Sequence, residues 1–187
     1  PVIMGTFTKA TFMVFMGRFV HMIDDLLISP MSTSLLILST VTTCVIRGIL
    51  VGTLVALVSL LFTTWSIAHP GIALLFLVLT TVMFSLLGMI AGLLAKTFDD
   101  TALIPNFVLT PLVYLGGVFY SITSLPAFWQ TVSKFNPILY IINGFRYGFL
   151  GTSDVSLLSG VFILLGSIGI FSAIVFTMMQ RGVGIKT

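Results

Sequence analysis

The stretch GIALLFLVLTTVMFSLLGMIAGLLA, residues 71–95, carries no charged side chain over 25 positions. A hydrocarbon core of about 30 Å needs about 20 consecutive apolar residues in a helix that crosses it. The stretch is therefore predicted to be a transmembrane helix. It places the chain in the class of all-α integral membrane proteins.

The composition of the whole chain agrees with this class. Of its 187 residues, 58% are hydrophobic and 7% are charged, and the mean hydropathy is +1.22, whereas a soluble domain carries about 25% charged residues. Eight Lys and Arg against five Asp, with no Glu, give a net charge of +3. These values exclude a water-soluble enzyme, a nucleic-acid-binding protein and a disordered chain. The lone Cys44 offers neither an intrachain disulfide nor the ligand spacing of a zinc site.

Four further apolar stretches are expected to form or approach membrane spans: residues 2–17, 35–66, 102–120 and 155–179. Between the last two, residues 121–152 are apolar but interrupted by Pro126, Pro137 and Gly144. We interpret this segment as two half-helices that enter the outer leaflet and return, because irregular backbone is tolerated in a membrane only where protein or water satisfies it. The chain is thus predicted to be a single transmembrane domain, residues 1–187, with five spans in a polytopic helical bundle and a re-entrant helical hairpin before the last span.

Basic residues predict the orientation of these spans, because Lys and Arg are retained on the cytoplasmic side. Five fall on one side if Arg47 reaches the boundary from the near end of its helix: Arg18, Arg47, Lys96, Arg181 and Lys186. Only Lys134 and Arg146 fall on the other side. The C-terminus is therefore expected in the cytoplasm, and the first helix is expected to run inward. The sequence opens at Pro1 inside an apolar stretch, and its first helix would begin on the outside. A complete protein that starts in the cytoplasm would need an odd number of earlier spans, so one preceding span, giving six in all, is the smallest complete topology.

Residues 18–30 are predicted to form a cytoplasmic amphipathic helix between the first two spans. Its polar residues recur at steps of three and four among apolar neighbours: Arg18, His21, Asp24 and Asp25. Such a helix lies in the membrane interface, and Ser29-Pro30 ends it. It is either a spacer between two spans or a docking helix for a cytoplasmic partner. A metal site built from His21 and the two Asp is a weaker alternative.

Seven sequence blocks, taken in order, resemble the permease subunit of ABC type-2 exporters. They are IDDLLISPMS (23–32), RG (47–48), AKTFDD (95–100), PLVYLGGVFY (111–120), FNP (135–137), GFRYG (144–148) and QRG (180–182). Each block is short, and together they cover nearly the whole chain.

The resemblance implies a six-helix permease that works as a homodimer with two separate nucleotide-binding ATPase subunits. ATP and Mg²⁺ would be bound by those subunits, and no cofactor by this chain. In this family the ATPase subunit contacts a coupling helix between the second and third spans, which corresponds here to residues 18–28. The expected coupling residues are Arg18, His21, Asp24, Asp25, Ser29 and Pro30. The family's N-terminal amphipathic helix and first span would precede Pro1.

The family also implies a function and a location. Its members export lipid-linked glycans, drug-like molecules and other large amphiphiles from the cytoplasm. The chain is accordingly expected to lie in the inner (cytoplasmic) membrane, in contact with its lipids, and to move an amphipathic substrate outward.

The loop at residues 96–100 joins two predicted spans on the cytoplasmic side. It places Lys96 at the end of one helix and Asp99 and Asp100 at the start of the next, which suits the helix macrodipole, and either Asp can cap free N–H groups. A capped hairpin is the favoured interpretation. A second contact with the ATPase subunit, through Lys96, Asp99 and Asp100, is the functional alternative.

Residues 102–120 are predicted to form a kinked helix, since each of its two prolines removes a backbone donor. This helix either lines the transport pathway or packs inside the bundle. The resemblance implies that the re-entrant segment closes the pathway on the outside. Together the two segments supply the candidate gate residues Pro105, Pro111, Gly116, Gly117, Asn136, Pro137 and Arg146. Arg146 is expected either to meet a phosphate on an exported substrate or to snorkel to lipid headgroups.

Small residues at four-residue spacing predict close helix crossings, either within the chain or in a dimer: Gly48 and Gly52, Gly88 and Gly92, Gly144 and Gly148.

The sequence has no G-x-x-x-x-G-K-[ST] loop, so the energy for transport would come from another polypeptide. This predicts a transporter subunit rather than an enzyme. The main alternative is an energy-independent channel or secondary carrier, which predicts ionisable residues inside the spans. Only Lys9 and Arg47 come close to this, and both are expected near the membrane interfaces. A purely structural membrane subunit is a third interpretation.

Overall fold

A computed structural model of the chain describes residues 2–19, 33–62, 68–117 and 126–182, and these residues fold as helices joined by short turns. The helices are α1 (Val2–Phe19), α2 (Thr33–Phe62), α3 (Pro70–Leu94), α4 (Phe98–Leu103), the π-helical segment π1 (Ile104–Leu109), α5 (Thr110–Leu115), α6 (Ala127–Lys134), α7 (Pro137–Leu150) and α8 (Leu157–Gln180). The predicted all-α class is confirmed over this part of the chain.

Three helices among the described residues are long and apolar enough to cross a membrane: α2, α3 and α8. The predicted spans 35–66, 71–95 and 155–179 coincide with them to within a few residues, apart from the C-terminal end of the first, which lies outside the described residues. The stretch 2–17 forms α1, of 18 residues. The count of five spans stays a prediction.

Helix α3 is the centre of the bundle. Within its membrane-crossing window 67% is buried, against 11% in each of α2 and α8. Phe76, Met83 and Phe84 of α3 are fully buried and share one apolar core with Phe7 of α1 and Leu164 of α8. The buried hydroxyls of α3 donate to carbonyls of their own helix, so they add no unsatisfied polar group to that core.

The three pairs of small residues all serve packing within the chain. A Cβ atom added at Gly88 would lie 2.6 Å from the Phe7 carbonyl oxygen of α1, and one at Gly48 would lie 2.2 Å from Thr81 Cγ2 of α3. On α7, a Cβ at Gly144 would collide with the Phe76 ring, and one at Gly148 with Ala73. The sequence left open whether these residues pack within the chain or between two chains. The structure uses each pair to bring another helix against α3.

Arg47 lies at the middle of α2. The helix extends 14 residues before it and 15 after it, which at 1.5 Å per residue is about 21 Å on either side. The expectation that Arg47 snorkels to the cytoplasmic boundary stays a prediction. Without Arg47, four basic residues against two still favour a cytoplasmic C-terminus, which stays a prediction.

The two prolines of the predicted kinked helix produce a π-helix rather than a break. Residues 98–115 are continuously helical through α4, π1 and α5. Pro111 has no N–H to donate one turn back, and the helix widens so that the Thr110 N–H donates to the Pro105 carbonyl, five residues earlier. The Thr110 hydroxyl donates to the same carbonyl at 2.9 Å. The helix then ends at Gly116, and Gly117 adopts φ +83°, which favours glycine.

Within residues 121–152 the two predicted short helices are present as α6 and α7. Asn136 caps α7, because its side-chain oxygen accepts a hydrogen bond from the Ile138 N–H at 3.0 Å. Gly151, with φ +72°, ends α7. The two short helices are thus present, and the re-entrant hairpin stays a prediction.

Candidate functional site

Most of the predicted functional residues that the structure describes lie at two ends of the bundle. The Arg18 end comprises Arg18, Phe19 and the loop 95–100, where α1 and α3 finish. The Arg146 end comprises residues 116–117, 133–137, 143–147 and 151–155, at the opposite ends of the same helices.

At the Arg18 end, the guanidinium of Arg18 binds the last carbonyls of α3. Its Nη1 donates to the Gly92 and Leu93 carbonyl oxygens at 2.9 Å each and to that of Ala95 at 3.1 Å. The final carbonyls of a helix lack partners within it and carry the negative end of its dipole, so a cation is favoured there. Arg18 therefore fastens the end of α1 to the end of α3.

The other predicted coupling residues, His21, Asp24, Asp25, Ser29 and Pro30, lie outside the described residues. The weaker metal-site hypothesis, which needs three of them, lies outside as well. The role of Arg18 as a cap of α3 was not anticipated. Its coupling role stays a prediction. Arg18, from which the predicted coupling segment continues, is itself bound to the end of α3.

Three aromatic rings join α1 to the start of α4 at this end. Phe15 and Phe98 meet edge to face with centroids 4.9 Å apart, and Phe19 lies 5.6 Å from Phe98. Such pairs contribute about 0.5–1.5 kcal/mol beyond their buried area. Phe19 and Phe98 are nevertheless largely exposed, so the two rings form an apolar surface that lies next to Arg18.

The loop 96–100 is the capped hairpin that the sequence favoured. Thr97 is the N-cap of α4: its hydroxyl accepts from the Asp100 N–H at 3.3 Å, while the Asp100 carboxylate accepts from the Lys96 and Thr97 N–H groups at 2.8 and 2.9 Å. This is a capping box. The backbone N–H of Lys96, and then that of Thr97, lower the pKa of Asp100 below its ordinary value. Asp100 is therefore committed to the cap as a carboxylate, whereas the side chains of Lys96 and Asp99 project from an exposed loop.

At the Arg146 end, Arg146 is held by protein groups. Its Nη1 forms an ion pair with Asp154 at 2.5 Å, and its Nη2 donates to the Gly117 carbonyl oxygen at 3.0 Å. The two charged side chains are each 23% exposed. Arg146 thus joins α7 to the end of α5 and to the turn before α8.

Asn143, one turn before Arg146, holds the same turn in place. Its side-chain oxygen accepts from the N–H groups of Asp154 and Val155 at 2.8 and 3.3 Å. Its side-chain NH₂ donates to the Ser153 hydroxyl at 3.1 Å and to the Val155 carbonyl at 2.8 Å. Neither Asn143 nor Asp154 was a candidate in the sequence analysis. The available signal was that Asp154 is the one acid predicted to lie outside the cytoplasmic segments.

Several candidate gate residues meet at this junction. The Asn136 side-chain NH₂ donates to the Leu112 carbonyl of α5 at 2.7 Å, and a Cβ at Gly116 would lie 2.8 Å from Ile142 of α7. The structure therefore brings Gly116, Gly117, Asn136, Pro137 and Arg146 together, with Pro111 one residue before Leu112. Pro105 lies apart from them, in π1.

We predict that the Arg146–Asp154 pair acts as a unit. Replacing Arg146 by Gln, or Asp154 by Asn, should each lower the free energy of unfolding by about 1–2 kcal/mol, because each change leaves a half-buried charge without its partner. The charge swap R146D/D154R should restore part of the loss. Thermal unfolding of the two single variants and the double variant in detergent gives the coupling energy.

The same variants test the phosphate interpretation of Arg146. If Arg146 serves the ion pair alone, D154N should reduce transport as much as R146Q does. Normal transport by D154N together with lost transport by R146Q would instead assign Arg146 to a substrate anion.

An apolar cavity of about 500 Å³ lies between α1, α2, α3 and α7, toward the Arg146 end. Its lining includes Gly52, Ala56, Leu77, Phe145 and Phe149, with Val113 of α5 at its edge. Val113 is the residue through which the predicted pathway helix, residues 102–120, lines this cavity. A volume of this size accommodates a hydrocarbon chain, which suits an amphipathic ligand.

Comparison with known proteins places these features in a family. The family model described as ABC-2 type transporter matches residues 2–150. The inner membrane transport permease YadH of Escherichia coli (strain K12) is 46% identical over 186 residues, which cover all of this chain and 73% of YadH. Nodulation protein J of Rhizobium leguminosarum bv. trifolii is 33% identical over 73 residues, 39% of this chain and 28% of that protein. No solved structure matches the chain.

Proposed function

Since this chain belongs to the ABC-2 type transporter family, we propose that it is the membrane-spanning permease subunit of an ATP-driven exporter. The observation that carries the proposal is the 46% identity to a transport permease along the whole chain. The same likeness, with the apolar helices, indicates a multi-pass inner membrane protein. The exporter moves an amphipathic substrate, a lipid-linked glycan or a drug-like molecule, out of the cytoplasm.

ATP hydrolysis in this proposal takes place on a separate subunit, which also binds Mg²⁺. The sequence offers no phosphate-binding loop of its own. The ATPase subunit contacts residues 18–30, with Lys96 and Asp99 as a second contact. Both segments belong to the predicted cytoplasmic side, as does the C-terminus.

The contacts of Arg18 support a route for the coupling step. Arg18 precedes the proposed docking residues and binds two carbonyl groups in the last turn of α3 and the carbonyl of its C-cap, Ala95. A displacement of the docking segment would therefore act directly on α3, the central helix. Because α3 contacts α1, α2 and α7, a shift of α3 changes the walls of the apolar cavity that lies between these four helices.

The proposed assembly is a homodimer of permeases with two ATPase subunits. The outward faces of α2 and α8 support this stoichiometry in part, because they expose large apolar side chains to lipid or to a second copy, among them Leu38, Leu54, Leu158, Phe162 and Ile170. The Arg146 end, where α5, α6 and α7 are fastened together, is the proposed outer gate.

The test is capture of an ATPase. We expect the full-length permease to co-purify with a co-expressed candidate ATPase subunit and to raise its rate of ATP hydrolysis in lipid vesicles. An ATPase subunit whose phosphate-binding lysine is replaced by alanine is the control, since it should be captured but inactive. Folded permease that captures no ATPase would favour the channel or secondary carrier, for which the presence of Lys9 and Arg47 inside the helices is the specific observation.

A further inference from the structure

Two cations on different helices line one open groove at the surface of the described helices. Lys9 of α1 and Arg47 of α2 face a groove of about 450 Å³, together with Met4, Gly5, Thr8 and Phe12. On its other side, Arg47 borders a smaller cavity of about 110 Å³ next to Val2 and Val51. The guanidinium and the ammonium therefore share access to the same space.

Both cations lie within their helices rather than at the helix ends. Arg47 is the midpoint of α2, and its neighbour Gly48 packs on Thr81, in the interior of the 25-residue α3. Lys9 is ten residues from the end of α1 at Phe19, about 15 Å along the helix. Where these helices cross the hydrocarbon core, as the sequence predicts, a charge within them costs about 2.5–3.5 kcal/mol or more unless an anion or water compensates it.

The spans of this chain supply no such anion. The sequence has five Asp and no Glu. Asp24 and Asp25 follow the end of α1 in the chain, Asp99 and Asp100 lie in the loop after α3, and Asp154 is paired with Arg146 at the opposite end. Among the described residues no acidic side chain pairs with Lys9 or Arg47, so their counter-charge comes from outside the described helices.

The groove is adjacent to the apolar cavity. Met4 lines both the groove and the cavity of about 500 Å³, and Val2 lines both that cavity and the small cavity beside Arg47. A dicationic site thus adjoins a space lined almost wholly by apolar side chains. One molecule with an anionic head and a hydrocarbon tail fits both.

We propose that Lys9 and Arg47 bind the phosphate group of an amphiphile whose hydrocarbon tail lies in the apolar cavity. Phosphate matches the pair because a guanidinium binds two of its oxygens at once, while an ammonium adds a point charge that helps balance a doubly negative group. The amphiphile is either a phospholipid of the membrane or the cargo. Only the second case rests on the proposed function.

The binding test uses the purified full-length permease without an ATPase subunit. Three probes separate the parts of the ligand: dioleoyl phosphatidic acid, dioleoylglycerol, which lacks the phosphate, and glycerol 3-phosphate, which lacks the tails. We expect phosphatidic acid alone to bind in nanodiscs of phosphatidylcholine and to raise the unfolding temperature. K9Q and R47Q should each weaken binding about tenfold, and together about a hundredfold.

Matched variants separate the site from general charge and packing. K134Q removes an exposed lysine of α6 and should leave binding unchanged, while R47K should retain part of it. A56L, which reduces the space for the tail, should weaken binding with both cations in place. Each variant is first checked for a single peak in size-exclusion chromatography, so that a loss of binding is not a loss of fold.

Stimulation of ATP hydrolysis by phosphatidic acid in the assembled complex would identify the ligand as cargo-like, and binding without stimulation would identify it as a resident lipid; both support the site. Equal binding by K9Q/R47Q and the unchanged protein, or equal binding of dioleoylglycerol, would overturn it. So would a wild-type protein that binds no probe while K9Q or R47Q lowers its stability, since the counter-charge would then be a carboxylate of another polypeptide segment. Because no ATPase is needed for binding, failure of the exporter proposal leaves this result interpretable.

Discussion

Replacing Gly88 by leucine should prevent α1 from packing on α3 and should lower the free energy of unfolding by about 3 kcal/mol or more. A Cβ at this position would lie 2.6 Å from the Phe7 carbonyl oxygen and 2.9 Å from Ala10 Cβ. The first of these is a backbone atom, so it cannot rotate away as a side chain can. Leucine would add three further carbon atoms in the same direction.

The effect should be large because the contact that is lost is central. Helix α3 contributes more buried residues than any other described helix, and its core cluster includes the fully buried Phe7 of α1. A folded domain has about 5–15 kcal/mol of stability in all, so the variant is expected to unfold at a much lower temperature or to be degraded. The measurement is the unfolding temperature in detergent, followed by fluorescence-detected size-exclusion chromatography.

Gly166 of α8 provides a matched control. It is also a helical glycine in a predicted span, but a Cβ there would have no heavy atom within 4 Å. G166L should therefore leave the unfolding temperature unchanged or raise it slightly, since leucine favours helix more than glycine does. If G88L unfolded at the temperature of G166L, the close α1–α3 crossing would be incorrect.

The position of the helices was largely predictable, whereas their partners were not. Length and the absence of charge were enough to locate α3 and α8 to within a few residues. The glycine pairs indicated faces at which helices approach closely, yet spacing along one helix does not say which helix meets it. Only the three-dimensional arrangement assigns Gly88 to α1 and Gly48 to α3.

The depth of Arg47 and the form of the proline-containing helix could not be derived from the sequence. Residues 35–66 are longer than one span needs, so the apolar pattern does not decide which of them lie at the centre of the membrane. The prolines of residues 102–120 were correctly taken as a disturbance. The form of that disturbance, a π-helix with hydrogen bonds five residues apart, depends on Thr110 and Pro105 acting together.

Contacts of polar side chains with backbone carbonyls were missed for a related reason. Arg18 and Asn136 both donate to carbonyl oxygens at or near the ends of other helices. Every residue carries a backbone carbonyl, so the sequence does not show which carbonyl will accept a hydrogen bond from a distant side chain. The Thr97–Asp100 cap was predictable because both of its members are local and have characteristic side chains.

Reversing Asp24 and Asp25 to lysine should abolish stimulation of ATP hydrolysis while leaving the permease folded and inserted. These residues lie six and seven positions after Arg18, in the segment that the family resemblance assigns to coupling. In the proposed contact the two carboxylates meet a basic surface of the ATPase subunit. Two lysines in their place would replace attraction by repulsion, and like charges at an interface cost several kcal/mol. A loss of this size corresponds to a decrease of about a hundredfold or more in affinity for the ATPase subunit.

The exposed loop 96–100 supplies the comparison. D99K changes the charge of the second proposed contact by two units without disturbing the cap, since Asp100 and Thr97 make its hydrogen bonds. If residues 18–30 are the main contact, D24K/D25K should lose capture of the ATPase and D99K should lose little of it. Full capture and export by D24K/D25K, with loss in D99K, would move the coupling site to the loop after α3; the Arg18 contacts would then transmit motion from α3 to α1, the reverse of the direction proposed above.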